Sequence, residues 1–345
     1  MHKQEQNLTE KVERILTEEI LHGVWNPGEK FPSENDAMKR FQVSRVTVRR
    51  AYANLEAKNI IVRRMRYQTL VNGRLTAATD PITLVGALFP LNNDFSGEFL
   101  ASLNGAVEEA GALIVLPYLF NDSEGQNKAA MNMVSHGIRN LIVWGCDRNI
   151  DMEMYKRFRL LGINLVFFDH IRPGTIADFV SIDSQHAIAL LFEKACADGC
   201  EEFVFLNTAD LSVDSNEERQ AAFENLCKKK KRHYSLDFIS WSSVLRDGAT
   251  EECRAFFRSI PHPEKTGIFC VNAYLAQAVS HAVDDCGHYY SISTSELPLS
   301  ENIVTVRQPM QAMAKECFDM LCEQQKAGRK WISRSHCIKG TPMWQ

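Results

Sequence analysis

The sequence predicts a multidomain chain: a small α+β head of helices and a hairpin, then a large α/β body of two parallel-sheet subdomains. Three observations predict it. Residues 31–50 hold two capped helical segments split by a short turn, and the second opens on cations. From residue 82 onward, apolar strand signals alternate with helical ones. Charge divides the same way. Residues 1–75 carry 14 Lys+Arg against 9 Asp+Glu, and the remainder carries 25 against 34. A basic small part on an acidic large one suits phosphate binding at one end only.

The head reads in order. Leu8, Val12, Ile15, Leu16 and Ile20 follow helical spacing, Gly23 stops that helix, and Trp25 to Lys30 is a turn cluster. Ser33, behind Pro32, is an N-cap with Asp36 as its capping-box partner, so a short helix runs to about Phe41. Ser44 is the next cap. A helix from Arg45 puts Val48, Ala51, Tyr52 and Leu55 on one face. The other face presents Val46, Arg49, Arg50 and Ala53, with Arg45 and Thr47 flanking. Recognition helices contact bases mainly through their N-terminal residues, where an arginine fork matches guanine O6/N7. An ordinary surface helix with scattered arginines is the plain alternative; agreement of cap, turn, apolar face and cation placement argues against it. Ile60-Ile61-Val62 and Leu70-Val71 are two short β-prone runs, with Arg63, Arg64 and Arg66 between them as the basic tip of a hairpin.

Gly23, Pro27-Gly28-Glu29-Lys30-Phe31-Pro32-Ser33-Glu34 and Val43-Ser44-Arg45-x-Thr47-Val48-Arg49 together closely resemble the GntR-family winged helix-turn-helix over about residues 8–72. The resemblance implies DNA contacts from Ser44, Arg45, Thr47 and Arg49. Arg50 and Arg66 join them as exposed cations of the helix and the wing. The family's wing usually carries Gly-x-Gly-Thr-Phe/Tyr-Val. Here Arg66-Tyr67-Gln68-Thr69-Leu70-Val71 lacks both glycines, so the wing either holds phosphates or inserts an arginine side chain.

Residues 1–72 are therefore assigned to the head, 73–81 to a small, polar linker, and 82–345 to the body. In the body, strands are expected at Ile82–Phe89, Ala112–Tyr118, Leu141–Gly145, Leu165–Asp169, Phe203–Asn207, Leu236–Trp241 and Gly267–Asn272. Helices are expected around Phe99 to Ala110 and at Lys128–His136. About ten strands exceed one small sheet, hence two subdomains. Ligands in such folds sit beyond the carboxyl ends of the strands. Those ends carry Asn92 to Phe95 (with Asp94), Cys146-Asp147, Asp169-His170, Asn207 to Asp210, Trp241 and Asn272. These are hydroxyl-reading groups and aromatics, although loop capping explains any one of them equally well.

Phe167-Phe168-Asp169-His170, Val180-Ser181-Ile182-Asp183, Arg219-Gln220-Ala221-Ala222-Phe223, Ile268 to Asn272 and Val304 to Pro309 are similar to words of the LacI/GalR-type effector domain, a periplasmic-binding-protein fold. That resemblance implies that Asp169, Arg219, Trp241, Asn272 and Gln308 line an effector cleft, with Arg219 as clamp and Trp241 as stacking platform. The combination is similar to arabinose-repressor-type regulators. Ala273 stands where the family has Asp, and the Gly-Phe/Tyr-Asp word is missing near Ser295-Glu296, so two family carboxylates are absent.

Other classes are weakly supported. None of the ten cysteines lies in the first 145 residues and no Cys-x-x-Cys occurs, so buried thiols in a reducing compartment are expected and zinc is not. No apolar leader and no run of about 20 apolar residues is present, so a cytoplasmic protein with no membrane contact is expected. Lys228 to Arg232 reads as a solvated helix end. Asp169-His170 with Cys146 is the sole catalytic alternative; no nucleophile elbow, P-loop or metal signature accompanies it, and no cofactor is expected. The expectation is a regulator that pairs as a homodimer on a pseudo-palindromic operator in double-stranded DNA. A sugar-like effector would set its affinity, and repression is what the resemblance implies. A constitutive DNA-binding protein and a sugar-modifying enzyme with a DNA-binding domain are the competitors.

Overall fold

The computed structural model describes residues 2–58, 60–63, 68–72, 81–89, 94–117, 122–283, 287–293 and 299–344. The head comprises α1 (His2–Leu21), α2 (Glu34–Phe41), α3 (Arg45–Ala57) and an antiparallel hairpin of β1 (Ile61–Arg63) and β2 (Thr69–Val71). α1 buries Val12, Leu16 and Ile20, and Gly23 ends it with a φ of +80°, a conformation that disfavours any side chain. The capping box forms: Ser33 accepts from the Asp36 amide, and the Asp36 carboxylate accepts from the Ser33 amide. Gln42 turns the chain in the left-handed region, and Ser44 then caps α3. Val48, Ala51, Tyr52 and Leu55 are all buried, as their spacing predicts. The hairpin gains a third edge, because the Phe31 amide donates to the Thr69 carbonyl at 2.8 Å.

The body holds two sheets. The first contains β3 (Leu84–Leu88), β4 (Leu113–Val115), β5 (Asn140–Val143), β6 (Asn164–Phe168) and β7 (Asp178–Ile182). The second contains β8 (Glu202–Thr208), β9 (Tyr234–Ile239), β10 (Thr266–Cys270), β11 (His288–Ser293) and β12 (Ile303–Arg307). The chain then returns, giving β13 (Ser335–Ile338) to the first sheet and β14 (Thr341–Pro342) to the second. The strand orders are β13-β7-β6-β5-β3-β4 and β14-β12-β11-β10-β8-β9, parallel throughout except β14. Every residue of β5, β6 and β7 is buried, which is why β5 and β6 read as apolar runs after their leading Asn140 and Asn164; β7 also buries Asp178 and Ser181.

The helices are α4 (Asp94–Glu109), α5 (Ser123–Ser135) and α6 (Met152–Leu160) on the first sheet. The second carries α7 (Ser184–Ala197), α8 (Asp214–Lys230), α9 (Trp241–Asp247), α10 (Thr250–Ser259) and α11 (Ala273–Ala282). α12 (Met310–Ala327) crosses back to pack on α4, closing a core of Phe99, Leu103, Met313 and Leu321. The chain thus passes between sheets three times, after β7, β12 and β13. At the third passage Gly340 has no room for a Cβ, which would lie 2.5 Å from Val306 and 2.9 Å from Ile182. The head rests on the first subdomain: α1 packs against α5 and α6 beside a cavity of about 1370 Å³.

Several expectations shift. β9 stops at Ile239, Ser240 caps α9, and Trp241 begins that helix instead of ending a strand. α5 starts at Ser123, capped by Asp122, ahead of the predicted Lys128. Arg63 belongs to β1 and not to the wing tip. Arg64, Arg66, residues 73–80 of the expected linker, Asn92 and Asn93 lie outside the described residues. No helix among the described residues is long and apolar enough to cross a membrane.

Candidate DNA-reading helix and interdomain cleft

Ser44, Arg45, Arg49 and Arg50 are exposed on α3, with Val46 beside them 54% exposed. The Arg45 guanidinium donates to Asn35 Oδ1 at 3.0 Å, and the Arg49 Nε to Glu34 Oε2 at 3.0 Å. Both cations therefore lean on the first turn of α2, which holds their forks on one surface. Exposed pairs of this kind are weak and yield readily to a phosphate or base edge. Thr47 is not on that surface. It is 3% exposed and its hydroxyl lies 2.9 Å from Ser44 Oγ, because the apolar face of α3 reaches round to it. Tyr52 Oη donates to the Pro32 carbonyl at 2.9 Å, locking α3 to the entrance of α2. Arg63 sits between Glu34 and Glu56 with its guanidinium 5.6 Å from the Tyr52 ring centroid, so it braces the helices.

Each sheet of the body has a topological switch point, between β3 and β5 and between β8 and β10. Crevices at such points are the favoured ligand sites of α/β folds. Trp144 follows β5, and its amide donates to the Leu88 carbonyl at 3.1 Å across the first switch point. Val271 repeats this at the second, donating to Leu206 at 2.9 Å. Asp169, after β6, adopts a φ of +58°, a region that aspartate tolerates better than bulky residues. Arg219 reaches over from α8: its Nη1 donates to the Val271 carbonyl at 2.8 Å and its Nη2 lies 3.7 Å from Asp169 Oδ1. Arg219 and the strand-end carboxylate of Asp169 thus meet between the subdomains. Both are nearly sealed from solvent, at 4% and 3% exposed.

Four buried polar atoms have no hydrogen-bond partner here: Asp169 Oδ1, Arg219 Nε, Gln308 Oε1 and Trp144 Nε1. Gln308 follows β12 and is 4% exposed. Phe95, at the start of α4, stacks on Trp144 at 5.0 Å, and Trp144 meets His170 at 4.2 Å. Trp144 was missed in the sequence; its signal was an aromatic at the carboxyl end of β5 just ahead of Gly145. Asp94 opens α4, but its side chain lies outside the described residues. Trp241 is half-buried and contacts Tyr274 edge-on at 6.3 Å. Asn272 spends its Oδ1 on the Leu275 amide at 2.9 Å, capping α11. Asp210 likewise caps α9, accepting from the Trp241 and Ser242 amides.

Burial sets the titration. Desolvation lowers the Arg219 pKa, with Asp169 opposing it, and lowers that of His170, again against the pull of Asp169. His170 also shares a 2.9 Å contact between its Nδ1 and the Gly145 carbonyl. Burial, aided by Asp147, pushes the Cys146 thiol up to about 12. A thiol that burial keeps protonated is a poor nucleophile at neutral pH.

Residues 8–71 match the family described as bacterial regulatory proteins, gntR family, and this part of the chain is a GntR-type helix-turn-helix domain. A histidine utilization repressor from Klebsiella aerogenes is 37% identical over 62 residues, 18% of this chain and 26% of that one. The chain spans about a quarter of the length of the first relatives it matches. The arabinose metabolism transcriptional repressor of Geobacillus stearothermophilus is 22% identical over 324 residues, 88% of this chain and 87% of that one. The trehalose repressor from Escherichia coli superposes with a TM-score of 0.61 at 17% identity, over 76% of this chain and 100% of that structure. The body has the LacI-type, periplasmic-binding-protein-like fold.

Proposed function

We propose that this chain is a transcriptional repressor that binds operator DNA through α3 and releases it when a small hydroxylated molecule, sugar-like in chemistry, occupies the cleft between its two subdomains. Ser44, Arg45, Arg49 and Arg50 read or grip the DNA, and Arg66 extends the grip from the wing. Asp169, Arg219, Gln308 and Phe95 line the effector site, joined by Trp144; Trp241, Asn272 and Asp94 stand at its rim. The homodimer follows from the reach of one short helix, which reads too few bases alone.

The observation that carries this reading is the set of buried, partnerless polar atoms on Trp144, Asp169 and Gln308 at strand ends and on Arg219 of α8. It offers two acceptors on Asp169 and Gln308 and two donors on Arg219 and Trp144. Buried polar atoms are ordinarily satisfied. A hydroxyl group, both donor and acceptor, satisfies either kind, and the stacked rings of Phe95 and Trp144 suit the C–H face of a sugar. Because Asp169 and Arg219 already neutralise each other, the site favours an uncharged ligand.

A thermal-shift series against neutral sugars tests it. A ligand at a hundred times its Kd stabilises by about 2.7 kcal/mol, a clear rise in melting temperature. That rise should vanish in Arg219→Met/Asp169→Leu. Shifts only with charged metabolites would sink the sugar assignment. A second reading, a constitutive regulator whose cleft binds nothing, is favoured by the use of Asn272 and Asp210 as helix caps. Flat melting curves across the whole series would select it.

A further inference from the structure

The N-terminal part of α8 faces the first subdomain with a row of charges. Arg148, in the loop after β5, places its Nη2 2.6 Å from Asp214 Oδ1 and also pairs with Glu217. Arg172, after β6, pairs with Glu218, and its amide donates to Asp214 Oδ2 at 2.7 Å. The Asp214 amide donates to the His170 carbonyl at 2.8 Å. With Asp169–Arg219, these contacts clasp the two subdomains along one side of the cleft. Single exposed ion pairs contribute little, but a network on one face biases a two-state opening.

The loop that carries Arg148 is also tied to the helices beneath the head. Gln126 of α5 donates to the Trp144 carbonyl and accepts from the Cys146 amide, both at 2.9 Å. Ser123 of α5 donates to Asp147. Asn127 accepts from the Asp151 amide at 3.1 Å, and Asp151 caps α6 through the Met154 amide at 2.9 Å. α5 and α6 are the helices on which α1 rests, and Leu21 of the head lines the cavity between them with Met133 and Met154. One segment, residues 144–151, therefore carries the clasp residue Arg148 between anchors to α5 on either side of it, at Trp144 to Asp147 and at Asp151.

We propose that Arg148 is the latch of the cleft, and that its loop passes the open or closed state to the α5–α6 pair that seats the DNA-binding head. The inference deepens the cleft reading above and rests on it. Arg148 acts here as a positioning residue and touches neither DNA nor effector.

Amide hydrogen exchange on the full chain, without effector or DNA, tests the latch alone. Arg148→Glu should speed exchange about threefold to tenfold in residues 123–127, 152–155 and 14–21, the range expected when a weak ion-pair network is lost. Combining it with Glu217→Arg should restore at least half of the protection, which loss of mere loop packing would not allow. A rise confined to residues 146–151, no rise, or no rescue by the charge swap overturns the proposal. If Arg148→Glu also loosens the amides of β8 and β10, the milder Arg148→Gln is read by the spread of faster exchange alone: a rise reaching residues 123–127, 152–155 and 14–21 upholds the latch, and a rise confined to residues 146–151, or none, overturns it. None of these results bears on whether a sugar enters the cleft, so failure here is distinct from failure of the thermal-shift series.

Discussion

Arg219 and Asp169 are buried charges that face each other at 3.7 Å, a geometry too long for a good hydrogen bond. Removing one partner strands the other, so Arg219→Ala should cost about 3–5 kcal/mol of stability in chemical denaturation. The paired replacement Arg219→Met with Asp169→Leu should cost far less, because it removes both charges. His170 gives a pH signature. Its folded pKa lies below the unfolded value, so the unfolded chain binds more protons as pH falls below about 6.5. This group's stabilisation is complete above that pH and declines below it. His170→Gln should flatten the loss of melting temperature between about pH 6.5 and pH 5. Asp169 and His170 were legible as strand-end polar groups and Arg219 only through the LacI/GalR-type resemblance; the contact between Asp169 and Arg219 was not legible, since about fifty positions of chain separate them.

At the scale of elements, the helices announce themselves through their caps. Ser33 and Ser44 fix the starts of α2 and α3, so Ser33→Ala and Ser44→Ala should each destabilise the head by about 1 kcal/mol in thermal melts. Ser44→Ala should do so before any question of DNA arises, because the same hydroxyl meets Thr47. On α3, Arg49→Ala should weaken discrimination at its base position by about 1–3 kcal/mol in operator-binding titrations, leaving the melting temperature nearly unchanged. Retention of full specificity would mean that another element reads the bases. The element that misled was β9 with Trp241. An apolar run ending in Trp looks like a strand, yet Ser240 and Asp210 turn it into a helix start through side chains that a periodicity pattern does not weigh.

For the whole molecule, the asymmetry of charge places DNA affinity in the head. Binding should weaken steeply as salt rises, and Arg50→Ala should reduce the slope of log K against log salt by about one unit, nearly alike on all sequences. An unchanged slope would remove Arg50 from the phosphate contacts. The sequence by itself determined the two-part plan, the capped helices of the head and the parallel strands of the body. Those follow from local rules: cap chemistry, spacing of three and four, and continuous apolar runs. Tertiary structure alone decided that Thr47 faces inward, that Arg63 braces helices, that Trp144 is buried between Phe95 and His170 and that Asn272 serves as a cap. It also decided that Arg148 of one subdomain meets Asp214 and Glu217 of the other. The physical reason is that each such role depends on which groups a fold of three chain crossings brings together, and burial and pairing are properties of that neighbourhood, not of the residue type.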